Sequence, residues 1–249
     1  MTTIVPTTAA GSAAASPRRE RRGSIEPVLL LLSAALLAIS GLLPWWSESE
    51  TLGGSTWTQT FSPLWGVSGE CTPSCPTFGT GPPLGPIQGT HTLASLGMAQ
   101  TGLLYLAGLG VTLTALALVL AALVARRFET DPPNRTAPPR AGRWLLSAGA
   151  VVTGIGAAAL PVLQPIALRN DTMSKFTSEN AWTASPSPET SFWGACTRGA
   201  YNGLCASGWS ATWGPDWGWI ALLLALALIV VVLWTRRGRA AEPEPASPG

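Results

Sequence analysis

Four cysteines are the side chains best equipped for chemistry in this chain: Cys71 and Cys75 in one cluster, Cys196 and Cys205 in another. A thiolate is a nucleophile, a redox centre and a soft metal ligand, so spacing has to choose among these uses. C-x3-C followed by C-x8-C is a poor match to the ligand pairs of a zinc site. The one histidine, His91, lacks the second histidine that a haem would need, and Met98 is the only methionine near it. No phosphate-cradling Gly loop precedes a charged helix, and no nucleophile accompanies a base. The residues therefore predict no metal, no cofactor and no catalytic group. An even number of cysteines suits disulfides on an oxidising side of a membrane. Of the three pairings, Cys196 with Cys205 and Cys71 with Cys75 are favoured; a bridge between the two clusters is the alternative.

The elements that must hold these cysteines are membrane spans. Only 11% of the 249 residues are charged against 47% hydrophobic, less than half the charge of a soluble domain. That composition excludes a soluble enzyme, a nucleic-acid binder and a disordered chain. About 18 consecutive apolar residues suffice to cross a bilayer. Four stretches do so, at 27–46, 94–125, 144–168 and 217–234, and none contains Asp, Glu, Lys, Arg or His. Ion-coupled transport usually needs one within the membrane. With no alternating ten-residue segments to build a barrel, the reading is an all-α, four-helix transmembrane bundle. Gly108 with Thr112, and Ala150 with Gly154 and Ala158, mark small faces on which helices approach closely.

Basic residues orient the bundle. Twelve of the 15 lie in the tail at 1–26, the link at 126–143 and the tail at 235–249. The positive-inside rule places those segments in the cytoplasm and the loops at 47–93 and 169–216 outside, consistent with a plasma-membrane protein. The two tails lack the apolar content to fold and are expected to be disordered. Ala38-Ile39-Ser40 also resembles a signal-cleavage site, which would leave three spans with the same outer loops. One Lys against fourteen Arg, with abundant Ala, Gly and Pro, suggests a GC-rich genome, as many bacteria have.

Most of the twelve tryptophans lie in the two outer loops or at their junctions with the spans. Trp45, Trp46, Trp217 and Trp219 read as interface anchors. Trp57, Trp65, Trp182 and Trp193 are distant from the spans and read as the core of a small folded head. Trp209 and Trp213, in a Gly/Ser-rich stretch, are the candidate partner contacts. Residues 55–61 alternate polar and bulky side chains as a half-buried strand does, so the head should contain β structure as well as disulfides. Each loop also contains an apolar-Trp-Gly motif before a cysteine pair, Leu64-Trp65-Gly66 and Phe192-Trp193-Gly194, as a duplicated two-span unit would.

These motifs carry a resemblance. Four spans, internal termini and Trp193-Gly194-Ala195-Cys196, eight residues, then Cys205 look like the claudin and peripheral-myelin-protein tetraspan group and its W-x2-C-x8-to-10-C signature. In this chain the match falls in the second outer loop. The resemblance implies a β-sheet head and an adhesive or scaffolding role. The layout of one Cys pair per outer loop is also similar to that of the bacterial quinone-linked disulfide oxidases. The first outer loop, however, has no Lys or Arg to lower a thiol pKa. The leading expectation is a non-enzymatic accessory subunit, bound to a membrane or extracytoplasmic protein or to copies of itself, with no nucleic acid. A membrane disulfide oxidoreductase is the alternative.

Overall fold

The computed structural model describes residues 18–52, 54–72, 89–91, 97–130, 141–175, 188–196 and 210–240. Four helices dominate it: α1 (Arg18–Leu42), α2 (Ala99–Thr130), α3 (Ala141–Lys175) and α4 (Trp217–Ala240). Each contains a stretch long and apolar enough to cross a bilayer. Backbone groups have no water to bond within lipid, so the chain satisfies them along each helix. The helices form a closed ring in which α1 and α3 each pack against α2 and α4. Leu30, Leu37, Tyr105, Ala115, Leu146, Leu160, Leu222 and Ile229 fill its centre.

One end of the ring is tied by charge. The Glu26 carboxylate of α1 accepts hydrogen bonds from Arg236 of α4 (2.6 Å from Nε) and lies 3.9 Å from Arg126 Nε of α2. Glu26 is only 5% exposed, so the two guanidinium groups neutralise a carboxylate that burial would otherwise destabilise. The start of α1 and the ends of α2 and α4 therefore share one end of the bundle.

The other end carries an antiparallel sheet. Four strands come from the segment between α1 and α2: β1 (Trp46–Leu52), β2 (Ser55–Ser62), β3 (Gly66–Thr72) and β4 (Gly89–His91). Two come from the segment between α3 and α4: β5 (Gly194–Cys196) and β6 (Ser210–Pro215). Their order is β4-β3-β2-β1-β6-β5, so pairing of β1 with β6 joins the two loops into one sheet. The alternation expected at 55–61 is real: β2 turns Trp57, Gln59 and Phe61 to one face and Thr56, Thr58 and Thr60 to the other.

The junction between sheet and bundle is built around Trp45. The span expected to reach Trp46 ends as helix at Leu42, because Pro44 cannot continue the ladder, and Trp46 opens β1. Neither Trp45 nor Trp46 is the lipid-facing anchor expected from its position. They are 1% and 0% exposed. The Trp45 indole donates to the Ser40 carbonyl at 2.7 Å, and its ring lies where a side chain on Gly108 would stand. Its backbone N–H donates to Phe61, and its carbonyl accepts from Asp216. Gly218, at the start of α4, donates to the Pro44 carbonyl at 2.7 Å. A Cβ there would sit 2.6 Å from the Leu43 and Pro44 carbonyl oxygens, so only glycine permits this approach. Trp46 donates to the Phe192 carbonyl at 2.6 Å, and Phe192 packs on Trp219 of α4. The head is thus bonded to the bundle through both loops.

Candidate functional site

Strand register places β1 at the centre of the sheet and decides what its inner face holds. Two rungs cross that face. One runs Gly69, Gln59, Glu48, Trp213, Gly194; the next runs Cys71, Trp57, Glu50, Ala211, Cys196. Glu48 and Glu50 share the face because side chains two apart on a strand point the same way. They hydrogen-bond to each other. Two carboxyl groups this close must share a proton. Burial pushes Glu50 up to about 7. Burial, the Glu50 carboxyl and the Glu189 carboxyl together hold Glu48 well above the ordinary carboxylate range. Beside the pair, Gln59 is 4% exposed, and its Nε2 and the Trp57 Nε1 find no acceptor.

Polar groups continue below, where α2 and α3 meet the sheet. The Tyr105 ring stacks on Phe61 with centroids 5.9 Å apart. The Tyr105 hydroxyl, the Thr101 hydroxyl and both amide atoms of Gln164 are buried without hydrogen-bond partners. Asp171 of α3 caps α2: its two carboxylate oxygens accept the Gln100 and Thr101 backbone N–H groups at 3.0 and 2.8 Å. A carboxylate there meets the positive end of the helix dipole.

A cleft of about 720 Å³ opens beside this junction, between α3 and the segment 189–191. Pro161, Val162, Pro165 and Ile166 form its lower part; Arg169, Asn170, Glu189, Thr190 and Ser191 form its upper part. Pro161 lacks the N–H that would bond the Ala157 carbonyl, and the Trp219 indole donates to that carbonyl instead, at 3.1 Å.

No family model and no curated protein matches the sequence. The geometry itself is what bears on the site.

Several tryptophans occupy places other than those expected. Trp65 and Trp193 were expected in the core of the head but are 56% and 61% exposed. Trp213, expected on the surface, is 5% exposed, with its indole donating to the Ser191 carbonyl. The reason is register. Trp213 faces Glu48 on the inner side of the sheet, while Trp65 lies in the β2–β3 turn and Trp193 just before β5. Trp65, Trp193 and Trp217, the last opening α4, all present exposed indoles. Each motif does the same local job: Trp-Gly opens a strand that carries a cysteine, and Gly66 does so with a φ of 81°. Trp57 is half-buried beside Glu50. Trp182, Trp209, Cys75 and Cys205 lie outside the described residues.

Neither Cys71 nor Cys196 is a free thiol. They end opposite sides of one rung, four strand spacings or about 19 Å apart. A disulfide spans at most about 7 Å between Cα atoms, so they are not bonded to each other. Among the helix-packing residues, Gly108 and Thr112 are buried, Ala150 packs against the core, and Gly154 lies close to Leu226. Ala158 is exposed rather than packed, because it falls off the inward stripe of α3 that runs through Thr153, Ala157 and Leu160.

The carboxylate pair escaped sequence reading because Glu normally signals a solvated face. A parity signal exists: Glu48 and Glu50 share the parity of Trp46 and alternate with Ser47, Ser49 and Thr51, so the face that buries Trp46 carries both carboxylates inward.

Proposed function

We propose that this protein is a non-enzymatic, four-span plasma-membrane subunit whose extracytoplasmic sheet binds a partner protein. The observation that carries this reading is the chemistry of the outer face of the sheet. Ser47, Ser49, Thr51, Thr56, Thr58, Thr60, Ser68, Thr72, Ser210 and Thr212 share that face by register, with Glu70 as its one acidic side chain among the described residues. Neighbouring hydroxyls bond across strands, Thr51 to Thr56 at 3.2 Å and Thr60 to Ser68. A face of short hydroxyls is flat, costs little side-chain entropy to cover and carries little charge to desolvate. The inner face is occupied by its attachment to the bundle, so recognition falls to the outer face and the sheet edges.

The positive-inside bias supports cytoplasmic termini, with the head outside. On that oxidising side Cys71 and Cys196 would be bridged, Cys71 to Cys75 and Cys196 to Cys205, each closing a loop beside its strand. The separation of Cys71 from Cys196 favours structural bridges over thiol exchange between them. Reporter fusions should read inside at Asn134 and Gly249, and outside at Gly79 and Ser187. The functional test is site-specific photo-cross-linking from Thr58 and Thr212 in native membranes. A discrete cross-linked protein, lost in a Thr58→Lys/Thr212→Lys variant of unchanged melting temperature, supports the reading. Quinone-dependent thiol oxidation by the purified monomer, with no cross-linked species, would replace it with the oxidoreductase.

A further inference from the structure

We propose that the bundle interior next to the head is a hydration site, where Thr101, Tyr105 and Gln164 hold bound water between α2 and α3. This internal site is separate from the outer face of the sheet. Thr101 and Tyr105 stand one turn apart on the inward stripe of α2, and Gln164 lies on the inward stripe of α3. All three are 0% exposed. Contacts at two levels fix how the antiparallel helices face each other. At the upper level Asp171 of α3 accepts the Gln100 and Thr101 backbone N–H groups. At the lower level Val111 stands where a side chain on Gly156 would lie. With a constant rise along both helices, Gln164 falls midway, across from Tyr105 and about one turn below Thr101. Phe61 of β2 stacks on the Tyr105 ring, so the site adjoins the sheet.

The lining decides the ligand. The Thr101 and Tyr105 hydroxyls and both amide atoms of Gln164 have no hydrogen-bond partner among the described residues. A buried polar atom left dry is costly, and helices in lipid can draw no partner from outside. What binds must therefore donate and accept at once, because the Gln164 amide presents an N–H group and a carbonyl oxygen together. It must also be neutral. From 101 to 125 on α2 and from 144 to 168 on α3 there is no Asp, Glu, Lys, Arg or His to neutralise an ion. Trp45 and Phe61, packed on Tyr105, add only aromatic surface. Water is the small neutral molecule that meets both conditions. About two waters, at roughly three hydrogen bonds each, reach the two hydroxyls and both ends of the amide.

X-ray radiolysis of the full chain in lipid nanodiscs, read by mass spectrometry, tests this directly. Hydroxyl radicals form where water is and oxidise the side chain beside it. Tyr105 should be oxidised although it is 0% exposed, while Trp46, equally buried and with its indole bonded to the Phe192 carbonyl, should stay intact. Thr101→Val/Gln164→Leu removes the other polar partners and leaves Tyr105 in place. In that variant Tyr105 oxidation should fall to the level of Trp46, with a melting temperature no lower than that of the wild type, since apolar groups of similar shape need no water. Protection of Tyr105 in the wild type would overturn the proposal, and that comparison stands even if the double variant does not accumulate. Oxidation of Tyr105 and Trp46 alike would overturn it too, by showing that the junction opens to bulk solvent. So would Tyr105 oxidation that persists undiminished in the folded double variant.

Discussion

Replacing Glu48 and Glu50 together by Gln should remove a pH dependence from the stability of the head. Glu50 titrates at about 7 in the folded protein against 4.5 for the ordinary side chain. Below pH 4.5 the carboxyl is neutral whether the chain is folded or not, and the full stability is present. Between 4.5 and 7 the unfolded chain ionises while the folded protein keeps its proton, so stability falls as pH rises. Above about 7 both states are ionised and the loss is complete, at about 3 kcal/mol for this group. Glu48, also raised, adds to the loss in the same direction. Among the described residues, the charges acting on Glu48 are the carboxylates of Glu50 and Glu189, which oppose its ionisation. The flanking residues across the strands are Gln59, Trp213, Trp57 and Ala211. Glutamine preserves the shape, and its amide still donates to a neighbouring carbonyl oxygen. Thermal unfolding in detergent, followed from pH 4 to 8, should show a falling melting temperature for the wild type and a flatter profile for Glu48→Gln/Glu50→Gln. A flat wild-type profile, or an unchanged slope in the double variant, would refute the shared-proton argument.

Other substitutions test the packing. Gly218→Ala should prevent accumulation of folded protein, because two backbone carbonyls at 2.6 Å cannot move aside; Gly110→Ala, with nothing within 4 Å, should be neutral or raise the melting temperature. Trp213→Ala should cost about 3–5 kcal/mol of stability in denaturant titration, whereas Trp65→Ala and Trp193→Ala should leave it within about 1 kcal/mol. At the opposite end of the bundle, Glu26→Gln should lower stability by about 3 kcal/mol by leaving the partly buried Arg236 without its carboxylate, read as a lowered midpoint in the same titration.

The sequence by itself determined the membrane character of the chain. Long apolar runs have one stable backbone solution in lipid, and no tertiary information was needed to see four helices. It also determined β2, because an alternation of Thr with Trp, Gln and Phe has period two in any context. What it did not determine was which side chains of the head face inward. That depends on how β1 and β6, from segments more than 150 residues apart, align with each other. A one-residue slip in that register would send Glu48, Glu50 and Trp213 to solvent and turn Ser49 and Thr212 inward. Reading by residue type alone therefore buried Trp65 and Trp193, which a turn and a strand end leave exposed, and exposed Trp213, which the register covers. The cleft was likewise invisible in the sequence, since Arg169 and Glu189 line it together only in the folded chain. Local patterns fix which elements form; the pairing of distant strands fixes which groups those elements bring together.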